Sequence, residues 1–375
     1  MRPHVAVNTR LLLPGRIEGI SRFAEEVLRR MISAHPEVQF SFFFDRKYDD
    51  QFVFAENVTP YIIPPQARHP LLWYTWFHIT AKHKLTKLKP NVFFSPEFYL
   101  IDQNKIPQVA VFHDLAYEHY PEDISPWAAR YCRKYSPYYA QLASHICTVS
   151  AYSKQDIMYH YQIPDDKISI VYNGASTAFS PMPHTLQEDI RKKFTDGKPY
   201  FLFVGTIQPR KNIETLLKAF DRFKDEQPSE VKLLIVGRRG WHYREALETY
   251  QLMQHREDVM FTGFVADREL PALYGASLAL CYIPYLEGFG IPLLEAMNCD
   301  TAILCSNVAS LPEVVGEAAH QVDPFEVDQV VMGLHKLYTD TAYRTGLIVK
   351  GRTQRQKYNW DLTAHRTWNI ISNFL

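Results

Sequence analysis

The chain has 375 residues, 46% hydrophobic and 22% charged, an ordinary globular composition that excludes a disordered chain and leaves room for two domains of about 150 residues each. Lys plus Arg balances Asp plus Glu at 41 each, so no global field draws the protein to nucleic acid or to an anionic membrane. Five cysteines, Cys132, Cys147, Cys281, Cys299 and Cys305, form no CxxC pair, which argues against a disulfide framework and a zinc site and fits a reduced, cytoplasmic protein.

Met1-Arg2-Pro3 leads straight into a strand at 4–8, with no apolar stretch of a signal peptide and no run approaching the roughly 18 residues that span a bilayer. Short β-branched and aromatic runs predict further strands at 38–44, 61–63, 92–94, 109–112, 146–149 and 168–172. Helical patterns fall between them at 20–32, 71–88, 126–142 and 153–161. The pattern then weakens, and residues 181–198 read as a linker holding a short helix near 187–193.

The same alternation restarts beyond it. Strands are expected at 200–204, 232–236, 259–262, 278–283 and 302–305, and helices at 213–224, 243–253, 268–274, from 291 and at 311–315. Alternating strands and helices predict an α/β fold with two tandem Rossmann-like, doubly wound parallel-sheet domains at 1–180 and 199–359, facing each other across a cleft. Ligands of such sheets bind at the carboxyl ends of the strands, so site residues are sought there.

Glu287-Gly-Phe-Gly290 enters a helical run up to Glu295. One carboxylate suits a sugar's hydroxyls and the other a ribose diol, with free helix N–H groups between them for phosphate. That combination suits a nucleotide-sugar. After the strand at 200–204 come Gly205 and then Arg210-Lys211 before a helix; a guanidinium fork and a point charge could hold a diphosphate. By itself such a pair is most often a solvated turn, and the two carboxylates raise its standing. In the first half, Gly15 to Gly19 is a glycine-containing loop without the GxGxxG fingerprint, which disfavours a dinucleotide oxidoreductase. His113-Asp114 stands at a strand end, a better position for a site histidine than most. Ser150 reads first as a helix N-cap.

His113-Asp114, Val171-Tyr-Asn-Gly174 with Phe179-Ser-Pro181, the run Val204 to Asn212, Phe261-Thr-Gly-Phe-Val265, the Glu287/Glu295 pair, and Ser306-Asn307 with Leu311-Pro-Glu313 form an ordered set. Together they resemble the retaining "group 1" glycosyltransferases of the GT-B fold, over residues 4 to 325. The likeness is to bacterial mannosyltransferases that build O-antigen and related surface polysaccharides.

The resemblance implies that Glu287 contacts the donor sugar, Glu295 the ribose, and Arg210 and Lys211 the diphosphate leaving group. Amides of Gly19 and Gly288-Phe289-Gly290 would add to the last, Gly205 would let the backbone approach the donor, and Phe264-Val265 would seat the base. His113 would lie beside the sugar on the acceptor side, with Asp114 and Ser150 as acceptor candidates. The segment 360–375 would be a helix returning to the first domain. The implied reaction is retaining transfer of a hexose, mannose from GDP-mannose, to a growing glycan or lipid-linked acceptor. A UDP-sugar donor and a non-catalytic nucleotide-sugar-binding scaffold are the alternatives. No DxD occurs, so no cofactor or metal is expected.

Three positions depart from the family pattern. Thr206 stands where many relatives have arginine, leaving Arg210 as its substitute or Lys211 alone; Asp300 stands for a helix-closing glycine, and Tyr285 for a small residue. Aromatic and basic residues at 68–89 and 130–139 read mainly as core-packed helices with a solvated basic face. Peripheral contact with the cytoplasmic face of the inner membrane is the second reading of these segments.

Overall fold

Residues 4–8, 39–44 and 92–95 are nearly all buried on both faces, the environment in which unbroken Val, Phe and Ala runs form interior parallel strands. The computed structural model describes residues 2–15, 19–238, 240 and 243–375. Residues up to Asn173 together with Asn359–Leu375 make one compact unit, and Gly174–Tyr358 makes the other.

The first unit contains β1 (His4–Asn8), β2 (Gln39–Phe44), β3 (Val58–Ile62), β4 (Val92–Ser95), β5 (Gln108–Phe112), β6 (His145–Thr148) and β7 (Ile168–Ile170). They form one sheet in the order β3-β2-β1-β4-β5-β6-β7. Every pairing is parallel, with Val5 of β1 opposite Phe40 of β2 on one side and Val92 of β4 on the other. The order reverses between β1 and β4, which makes that edge the sheet's switch point.

In the second unit, β8 (Tyr200–Val204), β9 (Lys232–Val236), β10 (Val259–Gly263), β11 (Ala279–Tyr282), β12 (Ala302–Ser306) and β13 (His320–Val322) form a parallel sheet in the order β10-β9-β8-β11-β12-β13. Its switch point lies between β8 and β11. Both sheets therefore have the doubly wound arrangement that the alternation of elements predicts.

Most aromatic residues serve the cores. Trp76, Phe77 and Tyr139 are fully buried in one cluster under the first sheet, with Tyr99 and Tyr131 beside them. The helix expected at 71–88 is interrupted: Pro70–Thr75 and Ala81–Leu88 are α-helical, and Trp76–Thr80 between them is π-helical. Trp76 Nε1 donates to the Ile63 carbonyl at 2.8 Å from this wider turn, while Leu71 and Ile79 stay exposed. The chain also forms β13 and the helices Val327–Thr339 and Thr341–Gln354, which local patterning leaves unplaced.

The stretch 181–198, read as a linker, holds the helix His184–Thr195 and packs within the second unit. Its partner is the helix Leu270–Ala276, where Arg191 Nε donates to the Ala276 carbonyl at 2.9 Å. A Cβ on Gly275 would lie 2.9 Å from Met182 Cγ. The polar composition that suggests a linker reflects the exposed face of this helix; its attachment comes from the Ala276 carbonyl, the pairing of Lys193 with Glu269 and the packing of Met182 on Gly275, which composition does not report.

The helix Trp360–Ser372 belongs to the first unit. Asn359 caps it, its side chain accepting from Leu362 N at 2.7 Å, and it packs on the helix Ile20–Ala34. Trp360, 2% exposed, meets Phe23 edge-on at 6.2 Å, and Trp368 stacks on His35 at 3.8 Å. Arg30 Nε donates to Asp361 Oδ1 at 2.6 Å, but the Asp361 side chain is 85% exposed. Trp360→Ala is therefore expected to cost about 3–5 kcal/mol, and Asp361→Ala less than about 1 kcal/mol, because water screens the pair. Denaturant unfolding of the two variants checks this; comparable losses would mean the helix is held by its ion pair rather than its indole.

Candidate functional site

The second unit gathers its chemistry at the carboxyl ends of β8, β9 and β11. β8 ends at Gly205, whose N–H donates to the Val236 carbonyl at 2.9 Å. Opposite it is Gly237, with φ 150°, where a Cβ would lie 1.8 Å from the Gly205 carbonyl oxygen. Only glycine lets the two strand-end loops touch backbone to backbone. The chain then makes a turn at Pro209–Lys211 and enters the helix Ile213–Glu226 through Asn212 at φ 55°. The Asn212 amide donates to the carbonyls of Pro324 at 2.6 Å and Ile283 at 3.2 Å, fastening this turn to the end of β11.

That attachment sets Arg210 and Lys211 against the loop after β11. Lys211 is 8% exposed, and its Nζ donates to the Tyr282 hydroxyl at 2.5 Å and to Glu287 Oε2. Arg210 Nη1 donates to the same oxygen at 3.2 Å and to the Leu286 carbonyl at 3.3 Å. The Tyr282 hydroxyl donates to it at 2.9 Å. One carboxylate oxygen thus gathers an ammonium, a guanidinium and a phenol. Burial alone would raise the pKa of the Glu287 carboxyl, but the Lys211 and Arg210 charges and the hydrogen bonds pull it down to about 2. Burial and the neighbouring Glu287 carboxylate hold the Tyr282 phenol well above its ordinary value, so it stays a donor.

Two cations against one carboxylate leave this trio with one net positive charge, which suits an anionic ligand. The loop carrying Glu287 is itself held firmly. Ser310 Oγ donates to the Glu287 carbonyl at 2.8 Å, Ser306 Oγ to the Pro284 carbonyl at 2.5 Å, and Tyr285 N to the Arg210 carbonyl at 3.1 Å. Gly290, at φ 89°, opens the helix Ile291–Asn298; a Cβ there would lie 2.8 Å from Leu311 Cδ2.

Glu295 lies in the second turn of that helix, and its Oε2 accepts from the buried Tyr274 hydroxyl at 2.7 Å. Phe289 is buried and meets Tyr358 edge-on at 5.5 Å. At the end of β10, Val265 is buried while Phe264 is 55% exposed, with the Arg238 guanidinium 5.0 Å from its ring centre. Of the positions that depart from the family pattern, Asp300 adopts the left-handed φ of 53° that a glycine would supply and pairs with Arg352 at 2.7 Å. Tyr285 stacks on Phe325 at 6.0 Å.

In the first unit, His113 follows β5. Its Nε2–H donates to the Pro96 carbonyl at 2.9 Å, leaving Nδ1 as the acceptor nitrogen, and Phe23 meets the ring edge-on at 5.1 Å. Burial pushes the imidazole pKa down, against the Pro96 carbonyl and Asp114. Asp114 Oδ1 accepts from Ala116 N at 3.1 Å and shapes the turn after it. Ser150 is fully buried, and its hydroxyl accepts from Ser153 N at 3.0 Å as an N-cap. This is its first-read role. Gly19, at φ 50°, precedes the helix Ile20–Ala34; residues 16–18 of its loop lie outside the described residues.

Sequence reasoning missed the groups that hold these residues: Tyr282, Tyr274, Ser310 and Arg238. Each reads locally as core or solvated surface. It also missed a buried ion pair at the first sheet's switch point, where Arg10 forks onto Glu97 through Nε and Nη2, both at 2.5 Å. Asn8 donates to Glu97 Oε1 at 2.6 Å, and the Tyr99 ring lies 4.8 Å from the guanidinium. The signal was available, since Arg10 and Glu97 each stand two residues past adjacent strands.

The pattern of the family described as "Glycosyl transferases group 1" matches residues 186–354, and that of "Glycosyltransferase Family 4" matches residues 17–179. O-antigen chain mannosyltransferase B of Escherichia coli is 30% identical over 94% of this chain and 95% of its own. O-antigen chain mannosyltransferase RfbU of Salmonella typhimurium is 28% identical over 74% of each chain. Among solved structures, Anabaena HepE in complex with UDP-glucose superimposes with a TM-score of 0.76 at 15% identity, over 99% of both chains.

Because the Glu287 value in the fold lies below its ordinary 4.5, the stabilisation it brings is fully present above about pH 4.5 and is lost as pH falls toward about 2. The wild type should lose on the order of 1 kcal/mol relative to Glu287→Gln between pH 6 and pH 3.5. Denaturant midpoints of both proteins at the two pH values measure this, and a gap that does not change with pH would remove the charge pairing from the account.

Proposed function

The chain belongs to the group 1 glycosyltransferases and has their GT-B fold, and from that premise we propose that it is a retaining, metal-independent hexosyltransferase. It moves mannose from GDP-mannose onto a growing bacterial surface glycan or a lipid-linked acceptor. The observation that carries this reading is the convergence of Arg210, Lys211 and Tyr282 on Glu287 at the switch point of β8 and β11. The names of the E. coli and Salmonella relatives support mannose as the sugar.

In this reading the donor's diphosphate takes the place beside Lys211 and Arg210, and Glu287 receives the sugar's hydroxyls. Glu295 takes the ribose diol, oriented by Tyr274. Phe264 and Val265 seat the base, backbone amides of Gly288–Gly290 add donors to the phosphates, and Gly205, without a side chain, lets the backbone approach the ligand. As the bond from the anomeric carbon to the diphosphate oxygen breaks, the acceptor hydroxyl attacks the same face, and its proton passes to the departing phosphate oxygen. Charge accumulates on the diphosphate, where two held cations stabilise it without reorganisation. With no DxD in the sequence, these side chains do the work of a bridging metal. The first unit supplies the acceptor side, with His113 and Asp114 at the end of β5.

Lys211→Ala and Glu287→Gln are each expected to lower turnover roughly 10²- to 10³-fold, about 3–4 kcal/mol in the barrier, in protein that circular dichroism shows to be folded. Wild-type turnover should be unchanged by EDTA. GDP or GDP-mannose at 100 times its dissociation constant should stabilise the protein by about 2.7 kcal/mol. A UDP-selective shift would replace the donor, as the UDP-glucose complex of the Anabaena neighbour suggests. No shift with any nucleotide would replace the enzyme with a scaffold.

We also propose peripheral contact with the inner membrane, through the first unit. Leu71, Ile79 and Trp127 are 72%, 56% and 68% exposed there, beside a chain segment rich in Lys and Arg. Among the described residues no helix is long and apolar enough to cross a bilayer. Flotation with anionic vesicles should carry the wild type, and Leu71→Ser with Trp127→Ser should abolish it; equal flotation of both proteins would remove the contact.

A further inference from the structure

On the first unit, two helices bring together three side chains that the transfer reaction does not use. His119 ends the short helix Ala116–His119, and Asp156 and His160 stand four apart on one face of the helix Ala151–Tyr161. His119 Nε2 lies 2.9 Å from both Asp156 carboxylate oxygens, and His160 Nε2 lies 3.4 Å from Oδ1. The two imidazole rings are 5.1 Å apart and nearly perpendicular. One donor atom from each residue lies within 4.8 Å of the others, and no other group of three His, Cys, Asp or Glu ligands comes this close among the described residues.

We propose that His119, Asp156 and His160 bind one divalent transition-metal ion of the zinc, cobalt or nickel class. Two imidazole nitrogens and one carboxylate oxygen form a mixed donor set that suits these ions, whereas calcium and magnesium prefer oxygen alone. A tetrahedral ion with bonds of about 2.0–2.1 Å spaces its donor atoms about 3.3 Å apart, and the observed 2.9 and 3.4 Å lie on either side of that spacing. The carboxylate supplies a negative charge and is held in place, its side chain only 9% exposed. Both histidines are on the surface, so the ion has a route in, and water completes its coordination. Cysteine spacing does not report on such a site, since sulfur takes no part.

The position of the site gives the ion a consequence. Helix Ala116–His119 follows His113 and Asp114, and Asp114 accepts from Ala116 N. The helix Ala151–Tyr161 holds the same strand end from the other side, where Ser153 Oγ donates to the His113 carbonyl at 3.1 Å. An ion shared by His119, Asp156 and His160 cross-links these two helices and stiffens the segment that carries His113. Its role is to order that edge of the sheet, not to take part in glycosyl transfer.

The untagged, chelator-treated full chain is titrated with Zn²⁺ by calorimetry and with Co²⁺ by visible absorption, alongside thermal unfolding. Expected are one saturable equivalent, a cobalt band of low coordination number and a raised melting temperature, with no response to Mg²⁺. The double variant His119→Ala/His160→Ala should keep the wild-type turnover and show no metal-induced rise above its own metal-free melting temperature. Asp156→Asn should weaken binding roughly tenfold or more. The chain has 15 histidines, so equal binding by the double variant would place the ion elsewhere and overturn the proposal. The absence of saturable binding in the wild type would also overturn it and leave the three residues as a hydrogen-bonded cluster.

Discussion

A carboxylate buried beside two cations constrains the second unit more than any other group. Glu287 Oε2 accepts from Lys211, Arg210 and Tyr282, and each of these is uncompensated if the others leave. The cations come from the turn after β8, the phenol from the end of β11 and the carboxylate from the loop beyond it. The cluster therefore exists only if these neighbouring strands sit in register, and their pairing of Ala279 with Phe201 sets that register. Asn212, Ser306 and Ser310 then hold the backbone of both loops through carbonyl oxygens.

The first unit has the same kind of sheet and uses its switch point differently. There Arg10 and Glu97 stand two residues past β1 and β4 and neutralise each other in a bidentate pair, with Asn8 on one oxygen and Tyr99 over the guanidinium. One cation meets one carboxylate, so no net charge is left for a ligand. In the second unit two cations meet one carboxylate. One architecture thus carries a closed ion pair in one place and a cluster with a net positive charge in the other, and side chains at strand ends make the difference.

Close backbone approach also joins the ends of three strands in the second unit. Gly237 lies against the Gly205 carbonyl, and Gly237 N donates to the Gly263 carbonyl at 2.9 Å, so β8, β9 and β10 end in one layer of main-chain groups. Phe264 and Arg238 stand at the edge of that layer. The aromatic wealth of the chain divides in a similar way: the rings of Trp76, Phe77 and Tyr139 fill a core, while Trp127 and Tyr74 remain at the surface. Local composition is the same in both cases, and only packing separates them.

Much of the fold was legible in the chain because parallel strands buried on both faces must be continuous apolar runs, and runs such as Tyr200–Val204 and Ala302–Ser306 have few other uses. The nearness of Arg210 and Lys211 to Glu287 was legible too, since these residues stand past strand ends, where sequence position implies spatial position, whereas Glu295 in its helix meets Tyr274. Their partners were not. Tyr282 and Tyr274 are buried aromatics within a strand and a helix, and only the packing of neighbouring elements turns their hydroxyls toward carboxylates. The attachment of residues 181–198 to the second unit, and the meeting of His119 with Asp156 and His160, likewise depend on elements brought together by folding. Hydrophobic periodicity reports which face of an element is buried but carries no record of its neighbour. The chain alone therefore determined its architecture and its charged motif, and tertiary structure decided which polar atoms meet.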